Sequence, residues 1–166
     1  MMLRGRRVEL APFIGWEDWD YAYQLAKRFE PKMTTEQIVK EALQEGFQFY
    51  TGFANGVRAG VIFSKHYRDG LTIDGYTDST VLKHGMAVWY SLTAAHLLLE
   101  HLLRFTEVVY ARAGRKDLEL HRMCKVLNMK YDHEEKDRIV YSKRRTDYKT
   151  FTWDNSQNYS ESFQKT

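Results

Sequence analysis

The residues best suited to chemistry in this sequence stand where a polar loop enters the longest predicted helix. They are Lys83, His84, Gly85, Met86 and Ala87. A strand pattern, Leu71–Thr77, precedes the loop. A strand, a loop ending in glycine and a helix start can together bind an anion, because backbone N–H groups and the positive end of the helix converge there. The stretch therefore predicts an anion site, with a plain helix-start glycine at Gly85 as the alternative.

Composition and charge limit the classes of protein to which this chain can belong. The chain has 166 residues, 43% of them hydrophobic, which is enough for one domain with its own core. Its single cysteine excludes an intramolecular disulfide and suggests a reducing compartment. No secretory signal or membrane-spanning stretch is recognisable, so a cytoplasmic location without membrane contact is expected. The net charge of +3 is small for a dedicated duplex binder, which makes nucleic acid an unlikely partner.

Other groups of charged or metal-ligating side chains do not predict a site. The basic segments Arg4–Arg7 and Lys143–Arg145 are interpreted as solvated strand ends rather than nucleic-acid contacts. His96 and His101 are five residues apart on one predicted helix and do not form a zinc motif. No metal is therefore expected as a cofactor.

Hydrophobic periodicity predicts the elements that must position the loop. Strands are predicted at Arg6–Leu10, Phe47–Ala54, Val57–His66, Leu71–Thr77, Glu107–Arg112, and Tyr131 with Arg138–Ser142. Helices are predicted at Trp16–Phe29, from a cap at Thr34 or Thr35 to Gly46, at Met86–Arg104, and at Leu118–Leu127 after a cap at Asp117. The predicted fold class is α/β (α+β), with a mixed, mostly antiparallel central sheet, helices on both faces and one strand–helix–strand crossover.

Two short segments predict tight turns between consecutive strands. Asn55-Gly56 is a preferred pair for a two-residue hairpin, because both central positions need a positive φ. Asp69-Gly70 predicts a second turn, which leads into Leu71–Thr77.

The composition changes near the C-terminus, which divides the chain into a domain at 1–145 and an arm at 146–166. The arm is polar and aperiodic, yet it carries aromatic residues that disordered tails usually lack: Tyr148, Phe151, Trp153, Tyr159 and Phe163. We expect the arm to pack on its own domain or on a partner, as in a homo- or hetero-oligomer.

The order of elements and two motifs resemble the GCN5-related N-acetyltransferase (GNAT) superfamily over about residues 6 to 143. The segment Leu82–Ala87, LKHGMA, is similar to the family's acyl-CoA pyrophosphate loop, Gln/Arg-x-x-Gly-x-Gly/Ala. The segment Asp117–Met129 is similar to its late-helix motif, Asn-x-x-Ala-x-x-x-Tyr-x-x-x-Gly-Phe. The resemblance implies a divergent short member of the kind often encoded by phages.

The loop resemblance implies acetyl-CoA as co-substrate. Gly85 would let a phosphate approach the backbone, and Ala87 would let the helix sit close to the sheet. Leu82 departs from the family's basic or amide residue, so one phosphate donor is missing, and Lys83 and His84 could partly replace it. Arg115, with its neighbours Arg112 and Lys116, could reach the other phosphates of CoA.

The family mechanism implies a base and an acid. Asp74, in the strand before the loop, is the best-placed base, with a plain surface residue as the alternative. Cys124 stands where the family has a tyrosine that protonates the leaving thiolate, and its unperturbed pKa of ~8.5 would suit that role. A buried, inert cysteine is the alternative. Tyr76 and Tyr110 are expected to line the cleft, and Asn128 to keep the shape of the helix end that glycine gives in the family.

Two functions follow as hypotheses. The first is an acyl-CoA-dependent N-acyltransferase that acts on an amine of unknown identity. The second is a non-catalytic GNAT-like structural or interaction protein, for example a phage structural or host-directed component that uses the C-terminal arm. In the second case its location would be a virion or a host cytoplasm.

Overall fold

The structure, a computed structural model, describes residues 1–32, 34–43 and 48–150. Its strands are β1 Leu3–Arg4, β2 Val8–Pro12, β3 Gln48–Ala54, β4 Val57–Ser64, β5 His66–Tyr67, β6 Gly70–Thr72, β7 Asp74–Thr77, β8 Val108–Gly114, β9 Lys130–Glu134 and β10 Arg138–Arg144. Its helices are α1 Trp16–Phe29, α2 Thr35–Ala42, α3 His84–Leu102, α4 Leu118–Val126 and α5 Arg145–Thr150. The helix predicted to end at Gly46 is described only to Ala42 and Leu43, and the predicted arm lies outside the described residues from position 151.

The strands form two five-stranded sheets, and one continuous stretch of chain runs from the second sheet into the first. The first sheet has the order β1-β2-β3-β4-β7, and the second has the order β5-β6-β8-β10-β9. The chain leaves the second sheet after Thr72 and enters the first at Asp74. Strand β6 pairs with β8 in parallel, whereas β7 pairs with β4 in antiparallel orientation. This confirms the predicted mixed, mostly antiparallel arrangement.

Helices cover both faces of the sheets, as predicted. The main core packs α3 and α4 against one face, with Leu98, Cys124 and Val109 all buried in it. On the other face, α1 packs its buried residues Ala22 and Leu25 against β4. Burial of apolar area on both faces is what holds the layers together. Within the described ranges, no helix is long and apolar enough to cross a membrane.

Local signals account for several boundaries. Asn55 and Gly56 have φ values of 51° and 81°, which confirms the predicted hairpin turn. Thr34 caps α2 in a capping box with Gln37, and Asp117 accepts the Leu120 backbone N–H at the start of α4. These side chains satisfy backbone donors that the first helical turn leaves without partners.

Four details differ from the sequence predictions. The predicted strand Leu71–Thr77 is divided into Gly70–Thr72 and Asp74–Thr77, which belong to different sheets. The turn before β6 is formed by Arg68 and Asp69, with Arg68 in the left-handed region at φ 51°, so Gly70 begins the strand instead of completing the turn. The short elements β1, β5 and α5 carry too little periodicity to be predicted. Lys143 is not a solvated strand end, because its side chain is buried and its Nζ donates to the Leu127 carbonyl at 3.1 Å.

Candidate active site

The site is formed where strands β6 and β7 part from β8. Leu71 and Thr72 pair with Val109 and Tyr110, and the Ile73 N–H donates to the Tyr110 carbonyl at 2.9 Å. From Asp74 onward the chain pairs with β4 instead. Strands β7 and β8 therefore separate beyond Ile73 and leave an opening between the two sheets.

This opening forms a cavity of about 490 Å³, which we call the central cleft. On the side of α3 and α4 its walls include Ala87, Ser91 and Cys124. On the side of α1 they include Phe29 and Tyr76. The space that sequence reasoning expected between these strands is thus open rather than filled by side chains, and it joins the two faces of the sheet.

The start of α3 borders the central cleft and presents backbone N–H groups that have no partner within the helix. Its first internal bond runs from the Ala87 N–H to the Lys83 carbonyl at 2.8 Å, and Lys83, the N-cap residue, makes no capping bond with its side chain. The N–H groups of His84, Gly85 and Met86 precede that bond, so they lack partners within the helix. A Cβ on Gly85 would meet nothing within 4 Å. The loop therefore has the backbone and the space that an anion needs.

Side chains of the predicted loop are divided between the cleft and its rim. His84 and Ala87 line the central cleft, while Lys83, Gly85 and Met86 are exposed beside it. The first turn of α3 contains no acidic residue, so nothing there repels an anion. Leu82, the departure from the family pattern, packs against the main core. It contributes apolar packing where a basic residue would contribute a phosphate contact.

Sequence reasoning missed a buried carboxylate that holds the loop before α3. Asp78 accepts from the Tyr21 hydroxyl at 3.1 Å and from Arg28 Nη1 at 3.0 Å, both on α1. It also accepts from the Thr80 backbone N–H at 3.0 Å and the Thr80 hydroxyl at 2.6 Å. Burial alone would raise the pKa of Asp78, but these bonds and the charge of Arg28 outweigh it and lower the pKa. An aspartate two residues before a threonine is a turn signal that could have indicated the local half of this cluster.

A second link joins β7 to α3 inside the central cleft. The Ser91 hydroxyl donates to the Ala87 carbonyl at 2.8 Å, so the Thr77 hydroxyl donates to Ser91 across 2.6 Å. Both residues line the cleft. The strand and the helix that face a ligand there are therefore fixed relative to each other.

Asp74, the predicted base, lies at the point where the strands part and lines the central cleft. Its Oδ1 accepts the backbone N–H of Gly75 at 2.8 Å. Although solvent reaches the side chain from the cleft, the surrounding walls remove much of its hydration, and this desolvation raises the pKa of the carboxyl. Glu30 raises that pKa further, while the Gly75 bond, Arg138 and Lys65 lower it. A raised pKa makes the carboxylate a stronger base.

The two tyrosines expected to line the cleft differ in position. Tyr76 does line it, and its ring stacks on Phe29 with centroids 5.3 Å apart. Burial raises the pKa of Tyr76, and the carboxylates of Glu30 and Asp74 add to that effect. Tyr110 is not part of this lining, because it is buried and donates to Asp69 Oδ1 at 2.5 Å. Burial and the Asp69 bond raise the pKa of Tyr110 to about 12.

Cys124, the predicted acid, is on α4 and contributes to the lining of the central cleft, although only 1% of its surface is exposed. Burial, with a smaller effect of Asp117, raises the pKa of the thiol to about 12 from an ordinary value of 9.0. An unperturbed cysteine would have a pKa close to that of the departing CoA thiol. The raised pKa of Cys124 removes this match. The thiol stays neutral at physiological pH.

Arg115, predicted to contact phosphate, faces the turn between β9 and β10. Its Nη2 donates to the Glu135 carbonyl at 2.9 Å and to Glu134 Oε2 at 3.3 Å, and its Nε donates to the Lys136 carbonyl at 3.2 Å. Its neighbour Arg112 makes a bidentate pair with Glu135, at 3.0 and 3.1 Å. Both guanidinium groups are thus engaged in holding this turn. Within the described ranges, no group of three or more His, Cys, Asp or Glu side chains could hold a metal.

Comparisons with known proteins give a clear result for the fold. The sequence matches no protein-family model, and no curated protein is similar to it in sequence. Solved structures are nevertheless similar. A probable GNAT-family acetyltransferase from Chromobacterium violaceum has a TM-score of 0.71 at 13% identity, with 89% of this chain and 88% of that chain covered. RimL, a ribosomal L7/L12 α-N-protein acetyltransferase in complex with coenzyme A, has a TM-score of 0.68 at 10% identity, with 89% and 99% covered.

A third neighbour is the N-acetyltransferase PseH from Campylobacter jejuni, in complex with acetyl coenzyme A. Its TM-score is 0.63 at 11% identity, with 83% of this chain and 99% of that chain covered. The comparisons give no support to a phage origin. The predicted resemblance in fold is confirmed: the chain has the fold of the GNAT acetyltransferases, at only 10–13% sequence identity to these neighbours.

Proposed function

We propose that this protein is an acyl-CoA-dependent N-acyltransferase that transfers an acetyl group from acetyl-CoA to an amine. One observation carries the proposal. The central cleft lies where β7 and β8 separate, has walls on the side of α1 and on the side of α3 and α4, and is lined by both His84 and Asp74. A thioester donor and an amine acceptor could therefore meet in it from opposite faces. The solved structures of similar fold, two of them with CoA or acetyl-CoA, support the same function.

The residues at the start of α3 fit the pyrophosphate of acetyl-CoA. The N–H groups of His84, Gly85 and Met86 would bind phosphate oxygens, and Lys83 would add a positive charge. The open space at Gly85 supports this fit, because a Cβ there has no protein neighbour and would instead extend into the region of the ligand. Arg115 would contribute only if its guanidinium left the turn between β9 and β10. When bound, acetyl-CoA supplies the acetyl group as a thioester.

Asp74 would act as the base. It accepts a proton from the amine as the nitrogen forms its bond to the acetyl carbon and the carbon–sulfur bond breaks. The backbone N–H of Gly75, which faces the central cleft, would donate to the carbonyl oxygen of the acetyl group and stabilise the charge that develops there. The sulfur departs as a thiolate, and Cys124, the predicted proton donor, would contribute little to this step because burial raises the pKa of its thiol to about 12.

The experiment that tests this function measures binding of acetyl-CoA by calorimetry and by the shift in melting temperature. We expect binding by the natural protein and its loss in Gly85→Glu, because the new carboxylate enters the phosphate region. Gly15→Glu is the matched control, since Gly15 precedes α1 and its Cβ would also meet nothing within 4 Å. Release of CoA thiol with a panel of amines then tests transfer.

Absence of binding at about millimolar acetyl-CoA would overturn the proposal, since most enzymes have Michaelis constants below that concentration. The alternative, a non-catalytic GNAT-like interaction protein, predicts that outcome. An amine acceptor is the partner that the proposed function requires. A protein partner or an oligomer formed through the C-terminal arm remains a prediction, and most of that arm lies outside the described residues.

A further inference from the structure

The backbone N–H of Gly75 occupies a particular position in the sheet. In the antiparallel pair of β4 and β7, successive N–H groups point alternately to the two sides of the strand. The Asp78 N–H donates to Ala59 on β4, so the alternation directs the Gly75 N–H away from β4. The Ile73 N–H, on the same side, donates to β8. The next donor along this edge, at Gly75, faces the central cleft because β8 has already diverged.

The carboxylate of Asp74 accepts from this donor in the structure. Its Oδ1 lies 2.8 Å from the Gly75 nitrogen. In the proposed reaction the same N–H donates to the carbonyl oxygen of the acetyl group. One N–H cannot serve both acceptors at full strength, so the carboxylate and the thioester compete for it.

We propose that binding of acetyl-CoA displaces the carboxylate of Asp74 from the Gly75 N–H, so that the base is released only when the acyl donor is in place. This inference rests on the proposed function and describes how the same site is regulated. It also distinguishes acetyl-CoA from CoA, which has the same phosphates but no acetyl carbonyl to compete for the N–H.

Release of Asp74 changes its affinity for a proton. The Gly75 bond stabilises the charged carboxylate and lowers its pKa, as do Arg138 from β10 and Lys65 from the segment after β4. Desolvation by the cleft walls and the charge of Glu30, at the end of α1, raise it. When the Gly75 bond is lost, the influences that lower the pKa are reduced to Arg138 and Lys65, while desolvation and Glu30 still raise it. The pKa of Asp74 therefore rises, and acetyl-CoA binding is accompanied by proton uptake.

The experiment is calorimetric titration of the full chain with acetyl-CoA and with CoA, in buffers of different ionisation enthalpy, from about pH 5 to about pH 7. The difference between buffers gives the number of protons taken up. We expect uptake with acetyl-CoA and less with CoA. CoA and acetyl-CoA carry the same phosphates, so proton changes caused by the phosphate region cancel in the comparison.

Two variants of Asp74 distinguish its competition for the Gly75 N–H from its uptake of a proton. Asp74→Asn retains an oxygen that can accept the Gly75 N–H but does not titrate, so we expect the difference in proton uptake to disappear while affinity changes little. Asp74→Ala removes the competitor, so we expect affinity for acetyl-CoA to rise by about tenfold, as for removal of one charged hydrogen bond, with CoA affinity unchanged. The melting temperature of each variant shows whether it is folded.

Equal proton uptake for the two ligands, or unchanged acetyl-CoA affinity in Asp74→Ala, would overturn the inference while leaving the proposed function in place. If neither ligand binds the natural protein, both the inference and the proposed function fail.

Discussion

The hydroxyl of Tyr90, on α3, occupies the space that a Cβ atom on Gly52 would need. Gly52 on β3 is paired with Gly60 on β4, and a Cβ on Gly60 would also lie only 2.9 Å from the same hydroxyl. The two glycines therefore leave a gap in the sheet that accepts the tip of Tyr90, whose side chain is buried. Because α3 begins at the proposed phosphate site, this contact helps to set the position of that site.

Gly52→Ala is expected to destabilise the protein by about 3 kcal/mol, the upper part of the range for overpacking a core, because the new methyl group overlaps a buried ring. Urea unfolding measures the free energy. Tyr90→Phe in the same chain removes the overlapping oxygen and should restore part of the loss, since the ring carbon beneath it would still lie 2.8 Å from the methyl group.

Gly114→Ala is the matched control for this test. Gly114 also lies in a strand, β8, but its Cβ would meet nothing within 4 Å. We expect a change within about 0.5 kcal/mol, as for surface substitutions in general. Equal losses of stability in Gly52→Ala and Gly114→Ala would show that the contact with Tyr90 is not the reason for a glycine at position 52.

Asp78→Ala is expected to cost about 3 kcal/mol of unfolding free energy, because it leaves the groups that the buried carboxylate had paired without a partner. Arg28→Ala should cost about 1 kcal/mol or less, since the Arg28 side chain is 50% exposed whereas the Asp78 side chain is only 5% exposed. Urea unfolding of both variants tests the asymmetry.

The same two variants should differ in ligand binding. Asp78 holds the loop that leads into α3, so its loss should weaken acetyl-CoA binding more than the loss of Arg28 does. Calorimetry measures both affinities. Similar losses from the two variants would contradict a special role of Asp78 in holding the loop.

Local signals predicted much of the fold. The bounds of α1 follow from periodicity between Gly15 and Pro31, and the turn at Asn55 follows from its need for positive φ. The caps at Thr34 and Asp117 have local partners three residues away, at Gln37 and Leu120. Sequence reasoning succeeds in such cases because both partners of the interaction lie in one short window.

Interactions between distant parts of the chain could not be predicted in the same way. Asp78 and Arg28 are 50 positions apart, and no pattern in the sequence pairs them. Arg115 was expected to face phosphate because of its place after β8, but the carbonyl groups of the β9–β10 turn engage it. The pKa of Cys124 depends on burial, which the neighbours from other elements decide. These features require the assembled sheet.

Glu135→Gln is expected to lower stability by about 1 kcal/mol at neutral pH, with an effect that depends on pH. Hydrogen bonds from Arg112 and Tyr67 lower the pKa of Glu135 from an ordinary 4.5 to about 2. A lowered carboxyl pKa stabilises the fold above the unfolded value, and this stabilisation is lost as pH falls from 4.5 to about 2. The difference between the natural protein and the variant should therefore shrink over that interval, as measured by urea unfolding.

Glu134→Gln provides the comparison. Glu134 pairs with Arg115, but the two side chains are 52% and 44% exposed, so we expect an effect near zero at every pH. A pH-independent difference for Glu135→Gln would mean that its ionisation is not what stabilises the turn.

Cys124→Ala is expected to reduce the rate of acetyl transfer by less than about tenfold, because a thiol whose pKa is about 12 donates a proton poorly. Cys124→Ser serves as a second variant of nearly the same size, so that a loss from the cavity left by alanine can be recognised. Steady-state release of CoA thiol measures the rates. A loss of about a hundredfold or more in both variants would assign the acid role to Cys124.

Asp74→Asn is expected to reduce kcat/KM for the amine by about a hundredfold or more, which is the usual contribution of a general base. In the natural protein the rate should fall as pH drops through the pKa of Asp74, and desolvation places that pKa above the ordinary carboxyl value of 3.8. Arg138 lowers the pKa of Asp74, so Arg138→Gln should move the acidic limb of the pH–rate profile to higher pH. Arg4→Gln, at an exposed position of the edge strand β1, should leave the profile unchanged. An acidic limb that persists unaltered in Asp74→Asn would mean that another group accepts the proton.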